Sequence, residues 1–416
     1  MKNTKKILIK RNDCRVCGNK NIIKIFNFGN MPMAGGFLKK NQVKKKELKV
    51  PLIIYFCKKC LLLQVKDSIN YKILFNNYKY SSSTIPDLNK HFYNYFTKIK
   101  KIFKIRKKVK ILEFGSNDGV LLKNFRKEKK FFCLGVDPAK NISNFTSKKN
   151  INTFVGLFNS TNAIKIKKKY EQFDFITGSN VFAHINDIHS VVDASKMLLK
   201  KDGMFATEVH YLPNLIKLNQ YDFIYHEHLN YYTITSLVKL FEIHKMNLFD
   251  FEFIPTHGGS VRVFVSLDEK KKKSKILKKI LKLEKKINIR YLDKFKNKVI
   301  KQKRLMINVL NDITKDKKKV VGYGASGRGT ILLNFCKIKR NKLKYIIDDS
   351  PFRYNKFMPG VKIPIYDFKY FKNDLENVKY VLIVAWNYKD SIIKKIKKIS
   401  KNVKFIIPFP FPKILK

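Results

Sequence analysis

The sequence predicts an α/β protein with two parallel-sheet domains, preceded by a small metal-binding domain. Three observations predict this organisation. Short apolar runs alternate with helical patterns from Val109 to Thr177 and again from Lys319 to Ala385, an alternation typical of βαβ units. A glycine-rich loop follows the first apolar run of each region, and two CxxC pairs precede both regions.

The length and composition indicate a globular protein with several domains. The chain has 416 residues, of which 44% are hydrophobic and 13% aromatic. Since a single core stops growing at about 300 residues, we expect three domains, at residues 1–75, 76–268 and 269–416. The last of these includes a helical connector.

The charge of the chain is strongly basic, with 89 Lys and Arg against 31 Asp and Glu, a net charge of +58. Such an excess is common in proteins that bind nucleic acid through its phosphates. Here the basic residues are spread along the whole chain, and many Ile, Asn, Phe and Tyr accompany them, which indicates a genome rich in A and T. We therefore expect no nucleic acid as the primary partner.

The sequence also bears on where the protein acts. The only apolar run near the start, at residues 7–9, is shorter than the core of a signal peptide, and no stretch of about 18 apolar residues occurs. We therefore expect a cytoplasmic protein without a membrane partner, and we expect it to be a monomer.

Four of the six cysteines form the paired motifs Cys14-Arg-Val-Cys17 and Cys57-Lys-Lys-Cys60. Two such turns supply the four thiolates that a structural zinc ion prefers. Disulfides are the alternative, but thiols stay reduced in the cytosol. The sequence therefore predicts a small zinc-binding domain. Cys133 and Cys336 lie in apolar runs and are expected in the core.

Two further segments predict how the parallel-sheet regions are joined. Residues 248–254 and 260–265 are apolar runs joined by His257-Gly258-Gly259, a pattern that predicts an antiparallel hairpin at the end of the first sheet. From Lys270 to Leu310, apolar residues recur every three to four positions with lysines between them. This periodicity predicts a long amphipathic helical connector.

The first glycine-rich loop runs from Glu113 to Gly119 and precedes a predicted helix that begins at Val120. Glycines in such a loop, Gly115 and Gly119 here, allow a ligand to approach the backbone closely. The next strand ends at Asp137, whose carboxylate can bind ribose hydroxyls. The pattern E-x-G-x-x-x-G favours S-adenosylmethionine (SAM) over a dinucleotide.

A third strand of the same region ends near Thr177 and leads into the segment 178–184. Ligands bind at the carboxyl ends of parallel strands. We therefore take Asn180 and His184 as site candidates, together with Glu113 and Asn117 of the loop.

The second glycine-rich loop, Gly322 to Thr330, contains G-x-G-x-x-G after a strand, and Asp348 ends the next strand. This is the dinucleotide fingerprint. Ser326, Gly327 and Arg328 also suit any diphosphate, through backbone and charge-assisted hydrogen bonds at a helix amino terminus. A nucleotide-bearing substrate therefore explains the loop as well as NAD does.

Between the two loops stands Tyr225-His226-Glu227-His228, with several acid-base side chains in a short segment. A neutral imidazole is well suited to removing a proton near neutral pH. An ordinary polar patch is the simpler interpretation of this string alone.

The order of these motifs resembles that of the nucleotide-sugar C-methyltransferases that act on 4-keto-6-deoxysugars. The resemblance covers nearly the whole chain, from the CxxC pairs and Tyr78-Lys79-Tyr80 to Ala385-Trp386-Asn387-Tyr388. It implies a class I methyltransferase domain with a Rossmann-like fold, a second Rossmann-like domain at the carboxyl end, and structural zinc. It also implies SAM as the methyl donor and a dTDP-linked sugar as the substrate.

The resemblance implies roles for individual residues. His228 is the expected base for the C3 proton, with Tyr225, Glu227 and His184 assisting, and Tyr78 and Tyr80 are candidates for contact with the sugar. Two alternatives remain open: a zinc-ribbon rRNA methyltransferase, and a nucleotide-sugar-binding protein without catalytic activity.

Overall fold

The computed structural model describes residues 7–70, 73, 83, 86–139, 146 and 150–416. Within these residues the chain forms two compact units, and each is assembled from segments that are separate in the sequence. Unit 1 comprises Met1–Ile23, Phe56–Leu212 and Leu229–Ile287; unit 2 comprises Lys24–Tyr55, Pro213–His228 and Asn288–Lys416. The three segments expected from the sequence stay a prediction about domain boundaries.

The strands in chain order are β1 Leu8–Ile9, β2 Ile23–Pro32, β3 Lys49–Phe56, β4 Leu63–Val65, β5 Ser68–Ile69, β6 Val109–Phe114, β7 Phe131–Asp137, β8 Asn152–Val155, β9 Phe173–Ser179, β10 Leu199–His210, β11 Asn230–Tyr231, β12 Asn247–Ile254, β13 Ser260–Ser266, β14 Lys319–Tyr323, β15 Ile346–Ile347, β16 Ile365–Tyr366, β17 Val378–Ile383, β18 Lys404–Ile407 and β19 Lys413–Leu415.

The helices in chain order are α1 Pro86–Ile102, α2 Leu122–Phe125, α3 Ser160–Tyr170, α4 Ile188–Leu198, α5 Leu212–Lys217, α6 Ile234–Ile243, α7 Lys275–Glu284, α8 Ile289–Lys315, α9 Gly327–Phe335, α10 Phe368–Asn373 and α11 Lys389–Lys397. In the described part of the chain, no helix combines the length and the apolar character that a membrane span requires.

Unit 1 is built on a seven-stranded sheet with the order β12-β13-β10-β9-β6-β7-β8. Strands β10, β9, β6, β7 and β8 run parallel, and β13 is antiparallel to both of its neighbours. This is the strand order of a class I methyltransferase, so the predicted fold is confirmed. The predicted hairpin is also confirmed, since Ile254 pairs with Ser260.

The core of unit 1 covers both faces of this sheet. Along β6, Val109 and Ile111 pack in the cluster that contains α1, whereas Leu112 and Phe114 pack in the cluster that contains α3, α4 and α6. Side chains alternate between faces along a strand, so a strand that is apolar at nearly every position is buried on both sides. The nearly continuous apolar run of β6 follows from this burial.

Unit 2 contains a second sheet with the order β16-β15-β14-β17-β18-β19. All neighbours in it are parallel except β18 and β19. The first strand of the region, β14, lies in the middle, with the strands that follow it on either side. The predicted second Rossmann-like domain is therefore present, and its glycine-rich loop leaves β14 at the point where the strand order reverses, where ligands bind in such sheets.

The structure refines two sequence expectations about helices. The helical connector expected over residues 270–310 is divided into two helices, α7 in unit 1 and α8 in unit 2. The Asn288 side chain accepts a hydrogen bond from the Tyr291 N–H (3.0 Å), which begins a new helix by satisfying a free donor of its first turn. The helix expected from Val120 is only the four-residue α2.

Candidate functional site

The four cysteines of the paired motifs meet in unit 1. Their Sγ atoms all lie within 4.8 Å of one another, with Cys14 3.4 Å from Cys60 and Cys17 3.5 Å from Cys57. A disulfide bond is about 2.05 Å long, whereas four sulfurs held at about 2.3 Å by one zinc ion lie roughly 3.8 Å apart. The cluster therefore fits one tetrahedral zinc ion, and its four cysteines are free thiols in the structure.

Arg15, inside the first CxxC turn, holds the cysteine cluster in place. Its guanidinium is fully buried and donates to the carbonyl oxygens of Val65 (2.5 Å) and Lys66 (2.9 Å) and to Gln64 Oε1 (3.2 Å). Burial lowers the pKa of Arg15 to about 10. This role could not be predicted from the sequence, because an arginine between two cysteines is expected to be exposed.

The glycines of the first loop are required by its geometry. Gly115 and Gly119 have φ values of +62° and +71°, a region that residues with a Cβ atom rarely adopt. A Cβ atom on Gly115 would lie 2.4 Å from Val181 Cγ2, and one on Gly119 would lie 2.6 Å from Ile151 Cδ1. The loop can therefore keep this path only with glycine at both positions.

The acidic residues around the first loop are buried. Glu113 is 3% exposed, and its Oε2 atom accepts no hydrogen bond from the described residues. Burial, followed by repulsion from Glu208, Asp118 and Asp137, raises the pKa of Glu113 well above its ordinary value. A buried carboxylate without a compensating donor is costly, so this atom is suited to a cationic or hydrogen-bond-donating ligand such as SAM.

Asp137 ends β7 and is tied to the first loop. Its Oδ2 accepts from the Asn117 N–H (3.0 Å) and its Oδ1 accepts from the Ala139 N–H (2.9 Å). Burial raises the pKa of Asp137 although both N–H groups oppose the shift. The structure therefore brings Glu113, Gly115, Asn117, Gly119 and Asp137 together at the carboxyl edge of the sheet.

Asn180 and His184 follow β9 at the same edge. Asn180 adopts φ +59° and donates its N–H to the Glu208 carbonyl oxygen (2.8 Å). His184 ends a short 3-10 helix over Phe182–His184 and is half-buried. Both therefore lie in unit 1, on the segment that leaves β9 beside the first loop.

A buried ion network lies beneath this edge, and the sequence did not reveal it. Glu208 is fully buried; its carboxylate accepts from Arg262 Nε (2.8 Å) and contacts His91 Nε2 (2.9 Å). Burial opposes ionisation of Glu208, but the charge of Arg262 and the contact with His91 lower its pKa to about 2. Arg262 also stacks on Tyr95, 3.4 Å from its ring centroid. The only signal in the sequence was the isolated charge of Arg262 in the apolar strand β13, which indicates a buried ion pair without identifying its partner.

The second glycine-rich loop, in unit 2, is equally constrained. Gly324 has φ +95°, and a Cβ atom there would lie 2.2 Å from Ala385 Cβ. Ser326 caps α9, since its Oγ accepts from the Gly329 N–H (3.1 Å). A Cβ atom on Gly327 would lie 3.3 Å from Ala34 Cβ and 3.9 Å from Tyr225 Cε2. The loop therefore lies beside the ring of Tyr225.

The charged residues of the second loop already have partners. Arg328 donates from Nε to Asp222 Oδ2 (2.9 Å) and from Nη2 to Asp222 Oδ1 (3.0 Å). Asp348 accepts from Arg353 Nη1 (3.0 Å) and from the Ala325 N–H (2.7 Å). Burial raises the pKa of Asp348, although Arg353 opposes this. Both residues thus hold the loop in place, whatever else they bind.

The segment from Tyr225 to His228 also belongs to unit 2. His228 Nδ1 lies 2.9 Å from the Phe223 carbonyl oxygen. A carbonyl can only accept, so Nδ1 carries the proton, and Nε2 of the neutral ring is the basic nitrogen. The Tyr225 hydroxyl lies 2.9 Å from Nε2 and donates to it. His228 is 6% exposed, so its base nitrogen lies in a largely dry environment.

The two residues between Tyr225 and His228 have different surroundings. His226 is buried and donates from Nε2 to the Val50 carbonyl oxygen (3.1 Å), and burial lowers its pKa to about 4. Burial raises the pKa of Glu227 to about 7, although a hydrogen bond from the Gly35 N–H opposes this. His226 is thus a neutral residue bonded to backbone, and Glu227 titrates near neutral pH.

The remaining candidates, Tyr78 and Tyr80, lie outside the described residues. The structure thus groups one set of candidates around the first loop of unit 1. It groups Tyr225, Glu227 and His228 with the second loop in unit 2.

Comparison with known proteins finds matches along most of the chain. Residues 14–75 match a zinc binding domain family, residues 88–247 a methyltransferase domain family, and residues 255–410 the C-methyltransferase C-terminal domain family. The C-methyltransferase NovU of Streptomyces niveus is 30% identical over 410 residues, which cover 97% of this chain and 96% of that protein.

Solved structures of methyltransferases are also similar in part. A SAM-dependent methyltransferase of Clostridium acetobutylicum is 12% identical, with a TM-score of 0.34, over 43% of this chain and 92% of that one. Another, from Anabaena variabilis, is 13% identical, with a TM-score of 0.34, over 41% and 82%. These low scores add nothing to the assignment. The full-length similarity to NovU, together with the three domain matches, shows that this chain belongs to the SAM-dependent C-methyltransferase family with an amino-terminal zinc-binding domain.

Proposed function

We propose that this C-methyltransferase transfers the methyl group of SAM to C3 of a dTDP-linked 4-keto-6-deoxysugar, after His228 has removed the C3 proton. The observation that carries the proposal is the pair formed by Tyr225 and His228, which lies beside the second glycine-rich loop. It supplies a base of defined tautomer and a hydroxyl donor next to a loop suited to a diphosphate.

The residues of unit 1 that would hold SAM are Glu113, Gly115, Asn117, Gly119, Asp137 and Asn180. When bound, SAM supplies an electrophilic methyl group. The buried Glu113 oxygen, which has no donor within the described ranges, and the glycine path of the loop both fit this ligand. The four cysteines would hold zinc, which supports the fold and takes no part in the reaction.

The chemistry asked of unit 2 is the removal of a proton from carbon. A ketone at C4 makes the C3 proton acidic, because the charge of the resulting enolate is delocalised onto the C4 oxygen. His228 Nε2 is the nitrogen able to accept this proton, and general-base catalysis of this kind contributes about 10²- to 10⁴-fold. The proton leaves C3 for Nε2, and the electron pair moves into the C3–C4 double bond.

The hydroxyl of Tyr225 has two uses in this scheme. Without substrate it donates to His228 Nε2, and when it turns to donate to the C4 oxygen it frees the lone pair of the base. A well-placed donor to a developing oxyanion contributes about 3 to 4 kcal/mol. Glu227, with its pKa raised to about 7, and His184 are assigned assisting roles.

The substrate contacts are proposed at the second loop. Ser326, Gly327 and Arg328 would bind the diphosphate, with Asp348 holding the loop, and Tyr78 and Tyr80 are candidates for contact with the sugar. Since Asp348 is already bonded to Arg353 and to the backbone, the NAD interpretation of this loop loses support. We further propose that the protein acts as a cytoplasmic monomer with no nucleic-acid partner.

Exchange of the C3 proton tests the proposal without methyl transfer. The enzyme is mixed with a dTDP-4-keto-6-deoxysugar in deuterated water without SAM, and deuterium at C3 is followed by NMR. We expect exchange with the wild type, a loss on the order of 10²- to 10⁴-fold in His228→Asn, and unchanged SAM affinity in that variant. His244→Asn, which alters a histidine paired with Asp193 in unit 1, is the matched control.

Two outcomes would contradict the proposal. Full exchange in His228→Asn would remove His228 from the role of base. Absence of both exchange and methyl transfer with every 4-keto sugar nucleotide in a panel would defeat the carbon-acid mechanism. Methylation of RNA with salt-dependent RNA binding would instead favour the RNA methyltransferase alternative.

A further inference from the structure

We infer that Asp222 is a positioning residue for the base His228, and that it makes the geometry of the base depend on the second glycine-rich loop. The inference rests on the proposed role of His228 and deepens it. Asp222 is 1% exposed and lies in a 3-10 helix over Tyr221–Phe223, just before the segment that carries Tyr225 and His228.

The carboxylate of Asp222 is held by two separate loops of unit 2. Oδ2 accepts from Arg328 Nε (2.9 Å) and from Trp386 Nε1 (2.8 Å), while Oδ1 accepts from Arg328 Nη2 (3.0 Å). Arg328 lies in the first turn of α9, which follows β14, and Trp386 follows β17. These neighbouring strands are parallel, so both donors come from the carboxyl edge of the sheet.

The next residue along the chain connects this carboxylate to the base. The Phe223 carbonyl oxygen accepts from His228 Nδ1 (2.9 Å), and the rings of Phe223 and His228 have centroids 4.4 Å apart. Fixing Asp222 therefore fixes the peptide that selects the tautomer of His228. With the proton held on Nδ1, the basic lone pair stays on Nε2.

Arg328 has one N–H group, Nη1, without an acceptor in the described part of the chain. Its side chain is stacked between aromatic rings, with Cζ 4.7 Å from the centroid of Trp386 and 5.2 Å from that of Phe223. Arg328 is 9% exposed, yet its buried Nη1 donates to no acceptor among the described residues. A buried donor of this kind is suited to an anionic ligand. A diphosphate oxygen bound there would contact the guanidinium that holds Asp222.

The arrangement gives Asp222 and Arg328 different functions. Arg328 donates two hydrogen bonds to Asp222 and has a third N–H group available for the ligand. It can therefore bind the diphosphate and also hold Asp222 in position. Asp222, whose carboxylate accepts from Arg328 and Trp386, acts through the Phe223 peptide. Loss of its charge should therefore disturb the base more than it disturbs binding of the nucleotide.

The tautomer of His228 tests this role without substrate. In the whole protein labelled with ¹⁵N histidine, we expect the wild type to show His228 protonated on Nδ1 and Asp222→Asn to show a mixture of tautomers. In the same variant, C3 exchange should fall about tenfold or more in kcat, with KM for the sugar nucleotide changed less than about threefold and with a shifted pH profile. Asp374→Asn, which alters an acid paired with Lys319 and Tyr345 in the same unit, is the control and should match the wild type.

A second variant covers the case in which Asp222→Asn does not fold. Trp386→Phe removes a single N–H from the same carboxylate, and we expect a smaller change of the same sign in tautomer and in kcat. Wild-type tautomer populations and a wild-type pH profile in the variant that folds would overturn the inference, even if its thermal stability falls. The tautomer is measured without sugar, so the two hypotheses can fail separately. If the wild type showed no C3 exchange but the variant showed an altered His228 tautomer, the proposed function would be contradicted. The effect of Asp222 on the His228 tautomer would still be supported.

Discussion

The two glycine-rich loops follow the same sequence rule but have opposite electrostatic surroundings. Each leaves the strand at which the order of its sheet reverses, and each needs glycine where a Cβ atom would clash. The loop of unit 1 is lined by buried acids, and one oxygen of Glu113 has no donor among the residues that the structure describes. In unit 2 the acid Asp348 is satisfied, and the spare group is a guanidinium N–H of Arg328. A glycine pattern after a strand thus predicts a ligand site, while the unpaired buried group indicates the charge of the ligand.

The strongest test of whether the two loops are separate ligand sites is to add a methyl group to one loop at a time. Gly115→Ala places a Cβ atom 2.4 Å from Val181, and Gly324→Ala places one 2.2 Å from Ala385. Such overlap costs about 3 kcal/mol, so we expect on the order of 100-fold weaker SAM binding in the first variant and similarly weaker sugar-nucleotide binding in the second. Calorimetric titration of each variant with both ligands measures this.

Each glycine variant serves as the control for the other. Gly115→Ala should keep its affinity for the sugar nucleotide, and Gly324→Ala should keep its affinity for SAM. If either substitution weakened both ligands equally while the fold was retained by circular dichroism, the two loops would not be separate ligand sites.

The zinc cluster belongs to unit 1 alone, and its loss should act on the stability of that unit rather than on one ligand. Cys57→Ser removes one of four ligands, and structural zinc supplies about 10 to 16 kcal/mol to small zinc domains. We expect about one zinc equivalent in the wild type by elemental analysis, loss of that zinc in the variant, and a lower melting temperature. Cys133→Ser, which alters a buried cysteine outside the cluster, should lower stability without releasing zinc. Retention of the metal in Cys57→Ser would contradict the four-thiolate site.

The sequence predicted those parts of the fold that repeat locally and missed those that depend on tertiary contacts. Alternating apolar runs identified both sheets, because strands buried on both faces are apolar at most positions. The break at Asn288 was missed, since the apolar periodicity continues across it and only the capping hydrogen bond ends it. Nor could the sequence show that residues 24–55 and 213–228 belong to unit 2.

The same limit applies to the candidate site. The glycines, the cysteines and Tyr225 to His228 were found because their residue types are specific to a chemistry. Asp222 and Glu208 were missed because a single acid beside aromatic or apolar residues has no such signature. Their function follows from partners far away in the sequence, Arg328 and Arg262. Arg328 itself was assigned to the ligand alone, whereas two of its donors hold Asp222.

The acid-lined character of the first loop predicts a pH dependence. Because burial raises the pKa of Glu113 in the folded protein, its protonated form contributes stability below the unfolded pKa of about 4.3. That stability is lost as the pH rises through the folded pKa. A bound cation favours the carboxylate, so SAM binding should release a proton and strengthen as the pH rises.

Glu113→Gln should remove this proton release and weaken SAM binding about tenfold at neutral pH. Titration calorimetry in two buffers of different ionisation enthalpy measures the released protons directly. The variant Glu171→Gln, an exposed acid paired with Lys110 in the same unit, is the control. An unchanged pH slope in Glu113→Gln would assign the spare oxygen of Glu113 to structure and weaken the contrast between the loops.

The smallest expected change in ligand affinity concerns Asp137 and Asp348. Each lies at the carboxyl end of the strand that follows a glycine-rich loop in the chain. Asp137→Asn should weaken SAM binding about tenfold if its carboxylate binds ribose hydroxyls. Asp348→Asn should change the affinity for the sugar nucleotide less than about threefold, since Arg353 and the Ala325 N–H already use its oxygens. Binding measured for both variants in parallel gives the ratio. A loss of tenfold or more in Asp348→Asn would contradict this expectation, and so would measurable NAD binding by the wild type. Either result would mean that Arg353 releases the Asp348 carboxylate to bind a ribose. The second loop would then keep the dinucleotide-binding function of its fingerprint.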